Sequence, residues 1–203
     1  MSRLHLIRHG QTNWNVERRI QGQTDSQLTD EGRQQAQTIA EEIKSIPFTA
    51  AYASSSVRAR DTANIILQHH HLPLPLALRD DMREINLGQW EGHLYADIAG
   101  QDKQHMHNFR HQPAEFSLPG AETFIDVQNR ALAVVNFVKN NHTNQDVLLV
   151  SHGIWIKCIL IHFAKRPISD FWELPPLSNC CHSIIEFNQD EATIIQFAGS
   201  QEW

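Results

Sequence analysis

Twice in this chain a short apolar run that reads as a buried strand ends on His-Gly, and no other feature restricts the possible folds so strongly. The first run, Arg3-Leu4-His5-Leu6-Ile7-Arg8, stops at His9-Gly10. The second, Val147-Leu148-Leu149-Val150, passes through Ser151 into His152-Gly153 and then an apolar helix from Ile154 to about Ala164. A continuous apolar strand has to be covered on both faces, as in a parallel sheet with a layer of helices on either side.

The intervening sequence supplies those layers. From Thr29 a helix starts with a threonine cap and Asp30 and Glu31 in its first turn, carries Ala36, Ile39, Ala40 and Ile43 on one face, and ends by Pro47. Ala50 to Ser54 reads as a second strand, and the serines after it can cap a helix bearing Val57, Ala63, Ile66 and Leu67. A long helix is expected from Ala121 to about Asn140, with Phe124, Val127, Ala131, Val134, Val135 and Val138 at helical spacing, before a polar turn over Asn141 to Gln145. Ser183 to Phe187 and Thr193 to Phe197 read as late strands joined through Asn188-Gln189-Asp190. With no solenoid repeat and no long linker, the expectation is one domain over 1–203. Its class is α/β, a three-layer α/β/α sandwich with a largely parallel central sheet. In such sheets ligands gather beyond the carboxyl ends of the strands, where both His9 and His152 fall.

Composition narrows the function. The formal charge of −6 argues against a general nucleic-acid or anionic-membrane binder, so an anionic substrate has to meet local positive charge. No run approaches the roughly 18 apolar residues of a membrane span. Arg3, His5 and Arg8 stand where a signal peptide needs an apolar stretch, so a cytoplasmic protein is expected. The three cysteines, two of them adjacent at Cys180 and Cys181, make neither a disulfide framework nor paired CxxC motifs and are read as reduced and structural. Among 13 histidines, the run His69-His70-His71 abuts Leu72-Pro73-Leu74-Pro75-Leu76 and reads as a helix end entering an extended loop rather than a metal site. The looser set His105, His107 and His111 gives no stronger metal signal.

A phosphate monoester is a dianion, and cleaving it takes fixed cations, a nucleophile in line with the leaving oxygen, and a proton for that oxygen. Arg8, His9 and Gly10 lie together at a strand end with Asn15 close behind. An imidazole nucleophile has to be neutral on its attacking nitrogen, which is easiest when the other nitrogen donates to a fixed acceptor. Taken singly, each residue has a plain structural reading: His9 in a turn, Arg58 a solvated helix charge, Glu84 a loop carboxylate, Asn15 a helix cap.

Leu6-Ile7-Arg8-His9-Gly10-Gln11-Thr12-Asn13-Trp14-Asn15 resembles the signature of the histidine phosphatase superfamily, also called phosphoglycerate mutase-like. Leu28-Thr29-Asp30-Glu31-Gly32, Ser54-Ser55-Ser56-Val57-Arg58-Ala59-Arg60-Asp61-Thr62-Ala63, Arg83-Glu84-Ile85, Gly88-Gln89-Trp90-Glu91-Gly92 and Val150-Ser151-His152-Gly153 resemble further segments of that family, in order, over nearly the whole chain. The resemblance implies that His9 is the nucleophile that becomes phosphohistidine, that Arg8, Arg58 and His152 hold the phosphoryl oxygens, and that Glu84 is general acid and base. It implies that Asn15, Gln21, Gly22 and Gly153 line the phosphate pocket, and that neither metal nor cofactor takes part. The expected partner is a small phosphorylated metabolite, with no nucleic acid and no membrane; a homodimer is left open.

The Tyr-Gly and Gly-Leu-Asn-Lys run and the paired arginine of the mutase branch are missing, and Glu84 to Gly92 is similar to the broad-specificity phosphatase branch that includes α-ribazole phosphatase. A phosphatase is therefore expected, with a cofactor-dependent phosphoglycerate mutase or a catalytically idle binding protein as alternatives. Trp90 and the apolar part of Ile154 to Phe163 read as packing, and Trp14 as a pocket wall or a staple. The stretch 93–119, with Tyr95, Met106, His107, Phe109 and Phe116, reads as a lid or specificity segment, or else as an amphipathic helix over Asp102 to His111 covering the sheet.

Overall fold

The computed structural model describes residues 1–69, 73–188 and 191–200. In chain order these form β1 (Ser2–Arg8), α1 (Asn13–Val16), α2 (Asp30–Ile43), β2 (Phe48–Ser54), α3 (Val57–Gln68), β3 (Leu76–Arg79) and α4 (Tyr95–Gln101). There follow α5 (Lys103–His111), α6 (Phe124–Asn141), β4 (Asp146–Ser151), α7 (Gly153–Phe163), β5 (His182–Asn188) and β6 (Glu191–Gln196). The strands make one six-stranded sheet in the order β3-β2-β4-β1-β5-β6. Its first four strands run parallel, whereas β5 pairs antiparallel with β1 and β6 antiparallel with β5. β5 and β6 follow one another with no crossover helix between them and so pair as an antiparallel hairpin.

Period-two alternation divides the core between the two faces of the sheet. Leu4, Leu6, Val147 and Leu149 pack with Val127, Val134 and Val138 of α6 and Trp155 and Ile159 of α7. Ile7, Leu148, Val150, Ala51 and Ala53 pack on the other side with Ala36, Ile39 and Ala40 of α2 and Ala59, Ala63 and Ile66 of α3. The fold is thus the expected sandwich, with helices over both faces of a mostly parallel sheet.

Several boundaries differ from expectation for local reasons. The long helix begins at Phe124 rather than Ala121, because Thr123 is extended and its hydroxyl accepts the Asp126 N–H while its own N–H donates to the Asp126 carboxylate. Glu122 is held instead by an N–H bond to the Asn86 carbonyl at 2.8 Å. The loop expected after the His-rich helix end continues into a short edge strand, β3, paired with β2. Two prolines just before it hid the signal. His69 closes α3, while His70 and His71 of the expected surface run, and Gln189 and Asp190 of the expected turn, lie outside the described residues.

The stretch 93–119 folds into α4, α5 and a turn at Pro113–Glu115. Met106, Phe109 and Phe116 are buried, and Phe109 lies within aromatic contact of Trp90, Phe116 and Phe124. The amphipathic helix read over Asp102 to His111 corresponds to α5, which starts one residue later. Cys158, Cys180 and Cys181 are free and buried, and burial pushes the Cys180 thiol up to about 12 and that of Cys181 to about 11. Among the described residues no helix is long and apolar enough to cross a membrane, and no group of three His, Cys, Asp or Glu side chains could hold a metal ion.

Candidate active site

Sheet register brings the two His-Gly motifs together. Arg8 of β1 pairs with Ser151 of β4, so the next residue of each strand, His9 and His152, emerges beside the other with ring centroids 5.2 Å apart. The His9 N–H donates to the Ser151 carbonyl at 3.0 Å. Gly10 then lets the chain press against the start of α2: a Cβ on it would fall 2.4 Å from the Gly32 carbonyl oxygen. The Thr62 hydroxyl accepts the Gly10 N–H at 3.0 Å and donates to the Arg58 carbonyl at 2.7 Å. Asn179 donates to the His9 carbonyl at 3.0 Å.

The His9 ring is 3% exposed, and its Nδ1 lies 2.8 Å from the Gly10 carbonyl oxygen. A carbonyl can only accept, so Nδ1 carries the proton and Nε2 keeps a free lone pair. Burial first, then Arg58 and Arg8, holds the imidazole well below 6.5, so it is neutral at pH 7. His152 is fully buried, and burial followed by Arg58 and His9 lowers it in the same way. Its Nε2 meets the hydroxyls of Ser54 at 2.8 Å and Ser56 at 3.1 Å, whereas its buried Nδ1 has no partner among the described residues. Ser56, one of the serines after β2, was expected to cap α3. Ser56 stands at the cap position but makes no side-chain cap bond, and Asp25 accepts the Val57 N–H at 2.9 Å instead.

A cavity of about 330 Å³ opens beside His9 and is lined by Arg8, Asn15, Gln21, Gly22, Arg58, Glu84 and Gly153. With His9 these are all the catalytic and phosphate-binding residues named from the sequence except His152, whose ring centroid lies 5.2 Å from that of His9. Arg58, 0% exposed, donates to the carbonyls of Thr24 at 2.9 Å and Gly22 at 2.7 Å, and its buried Nε has no partner among the described residues. Burial pulls the guanidinium down to about 10, opposed by Glu84 and Asp25, and it stays charged. Arg8 donates to the Leu177 carbonyl, and its Nε is likewise buried and unpaired. Buried donors without acceptors are rare enough to mark a place where an acceptor arrives.

The neutral groups are oriented by the same logic. The Asn15 oxygen accepts from the Thr12 N–H at 3.1 Å and from Asn179 at 3.3 Å, which leaves its NH₂ for the cavity. The Gln21 oxygen accepts from Thr12 at 3.0 Å and Ser26 at 2.6 Å, with the same result. Gly22 is left-handed (φ +52), and a Cβ there would fall 2.0 Å from Glu91 Oε1, the oxygen that accepts the Gln23 N–H at 2.9 Å.

Glu84 sits on the first turn of α7. Its Oε1 accepts the N–H groups of Ile85 and Trp155 at 3.0 and 3.1 Å, and Oε2 accepts that of Ile154 at 3.1 Å. Gly153 keeps a gap beside it, since a methyl there would lie 3.5 Å from Arg8 Nε and 3.8 Å from Glu84 Oε2.

Sequence reasoning missed Arg130. From α6 it grips both Glu122 oxygens and donates to the carbonyls of Asp81, Arg83 and Glu84. Lys157, which also lines the cavity, was missed too; a single lysine inside the apolar run of α7 was the available signal. The assembly as a whole offers a neutral nucleophilic nitrogen, guanidinium donors for an anion, and a carboxylate able to exchange a proton.

Comparison with known proteins gives a consistent result. The family model "Histidine phosphatase superfamily (branch 1)" matches residues 4–198. The probable phosphoglycerate mutase GpmB of Proteus mirabilis is 36% identical over 187 residues, covering 92% of this chain and 86% of that protein. The structure of Bacillus stearothermophilus YhfR superposes with a TM-score of 0.95 at 34% identity, covering 98% of each chain. Phosphoserine phosphatase from Entamoeba histolytica, solved in complex with 3-phosphoglyceric acid, superposes with a TM-score of 0.83 at 30% identity, covering 99% of this chain and 98% of that one.

Proposed function

The chain belongs to the histidine phosphatase superfamily, branch 1, and from that premise we propose that it hydrolyses small phosphomonoesters through a phosphoryl group carried on His9. The observation that carries this reading is a neutral His9, its Nδ1 proton committed to the Gly10 carbonyl, on a cavity where Arg8 and Arg58 keep unpaired N–H groups. In the first step Nε2 of His9 forms a bond to phosphorus as the ester P–O bond breaks, and Glu84 gives a proton to the leaving alkoxide. In the second, Glu84 takes a proton from water, the new P–O bond forms, the P–N bond breaks, and inorganic phosphate leaves. Arg8 and Arg58 follow the phosphoryl oxygens through both steps. His152, beside the nucleophile and with a buried Nδ1 that no described residue engages, supports the same oxygens. Asn15 and Gln21 add neutral donors, and Gly22 and Gly153 give the phosphate room.

A mutase reading is carried by the name of the Proteus mirabilis relative. It requires a phosphoenzyme sheltered from water. The missing Tyr-Gly and Gly-Leu-Asn-Lys run after Glu84 instead favours hydrolysis.

Replacing His9 with Ala is expected to lower phosphate release from p-nitrophenyl phosphate by at least about 10³-fold. Rapid acid-free quenching of the wild type should recover phosphohistidine, absent in the variant. Near-normal turnover by His9→Ala at an unchanged melting temperature would remove the nucleophile assignment. Conversion of 3-phosphoglycerate to its 2-isomer without phosphate release would favour the mutase.

A further inference from the structure

Among the described residues, Lys157 is the one cavity-lining cation whose charge neither the proposed chemistry nor the fold explains. It lies in the middle of α7, is only 5% exposed, and its ammonium donates to the Leu174 carbonyl at 3.0 Å. Phe171 and Trp172 flank it, with Nζ 5.2 and 5.3 Å from their ring centroids. Among the described residues no carboxylate pairs with it. Burial brings it down to about 8. The other cations of the wall are engaged: Arg8 and Arg58 face the phosphate position, and Arg19 pairs with Glu17 and donates to the Gly92 carbonyl. A buried ammonium that lacks a counter-ion is unfavourable, and contact with two rings offsets only part of that.

We propose that Lys157 selects substrates, by pairing with a carboxylate on the leaving-group side of the phosphate ester. This rests on the phosphomonoesterase reading above and names its substrate class: phosphorylated hydroxy acids or amino acids of a few carbons. Helical spacing gives the orientation. Gly153 and Lys157 are four residues apart, so they share one face of α7 with Cα positions about 6 Å apart along its axis. The phosphate and ester oxygen sit by Glu84 and Gly153 at the helix start, and the carboxylate sits one turn further along, away from the like charge of Glu84. An ammonium has three N–H groups, of which Leu174 takes one, and the other two suit the single charge of a carboxylate. A second phosphate fits less well, since the planar fork that grips phosphate in two places is absent here. The apolar wall of Phe171, Leu174 and Leu177 keeps water from the pair and strengthens it.

The test compares two esters of one carbon skeleton, 3-phosphoglycerate and glycerol 3-phosphate, which differ in carrying a carboxylate or a CH₂OH. For the wild type the ratio of their kcat/KM values is expected to favour the acid by about 10- to 100-fold, a measurement that needs no variant. In Lys157→Met the ratio should collapse toward unity, and in Lys157→Arg it should stay in favour of the acid. A wild type that hydrolyses both esters equally well overturns this inference and leaves the phosphatase reading intact. A Lys157→Met enzyme that loses activity on both while keeping the ratio assigns the lysine to packing and also overturns it. A wild type that hydrolyses p-nitrophenyl phosphate but neither ester overturns this inference alone, and failure on all three removes the phosphatase reading and this inference together.

Discussion

Arg58 is fully buried, yet the protein uses only its two terminal nitrogens, on the carbonyls of Gly22 and Thr24, while Nε stays bare. The geometry is that of a fork held by its back so that its remaining donors point one way. A lysine at the same place keeps the charge but can neither span both carbonyls nor present two parallel donors to a phosphate. Arg58→Lys is therefore expected to lower kcat/KM for p-nitrophenyl phosphate by about 10²-fold or more, the scale on which a preorganised donor is worth 2.7–4 kcal/mol in a transition state. Stability should fall by about 1–3 kcal/mol, from the carbonyl left without a donor. Steady-state kinetics with a urea titration separates the two, and kinetics within a factor of three of wild type would mean that charge alone, not the oriented fork, is what the site requires.

At the scale of elements, the site is a junction where β1, β4 and α7 end or begin, braced by the segment that carries Glu84. All five N–H groups of Arg130 are used: Nε and one Nη on the Glu122 carboxylate, the rest on the carbonyls of Asp81, Arg83 and Glu84. One guanidinium on α6 thus sets the height of the Glu84 backbone over α7. Arg130→Met should destabilise the fold by about 2–3 kcal/mol, because it leaves a partly buried Glu122 without its cation and the Arg83 carbonyl without its donor, while Trp155 still donates to the Asp81 carbonyl and Gln23 to that of Glu84. At a temperature where the variant is still folded, kcat should fall about tenfold or more while inhibition by inorganic phosphate changes little. An equal loss of phosphate affinity would show that the whole pocket, and not just the carboxylate, had shifted. This brace explains what could be read from the sequence and what could not. His9 and His152 were legible because an apolar run ending in His-Gly is a local pattern, and parallel pairing of two such strands brings their ends together. Arg130 looked like any polar position flanking the apolar stripe of Val127, Val134 and Val138, since three of its five acceptors, the carbonyls of Asp81, Arg83 and Glu84, come from a segment distant in sequence. Ser54 read as a strand end and Ser56 as a helix cap from their local context, and only the arrival of His152 from β4 engages both hydroxyls. The two prolines before β3 masked an edge strand, although β2, the strand it pairs with, was itself legible.

Taken whole, the molecule carries a net charge of −6 yet gathers Arg8, Arg19, Arg58 and Lys157 around one cavity that holds a single carboxylate, Glu84. The same architecture places uncharged imidazoles deep in the sheet layer, with His5 and His182 in the β1–β5 seam and His9 and His152 at the strand ends. All four are lowered by burial first. The consequence for stability has a definite sign. A histidine whose folded value lies below its unfolded 6.5 is protonated first in the unfolded chain, so between the two values unfolding takes up a proton and stability drops as the pH falls. For His182, held at about 3 by burial and by its neighbour His5, that window runs from 6.5 down to about 3. Between pH 7.5 and pH 5 it alone removes about 2 kcal/mol, from 1.36 kcal/mol per unit over the 1.5 units below 6.5. A glutamine can still meet the His5 ring, 3.0 Å from His182 Nε2, but does not titrate. His182→Gln should therefore lose about 2 kcal/mol less than the wild type when urea unfolding is compared at pH 7.5 and pH 5. The carboxylates, which also titrate near pH 5, are common to both proteins and cancel. Equal losses in the two proteins would mean that His182 accepts a proton in the folded sheet as readily as in the open chain, which its burial between β1 and β6 forbids.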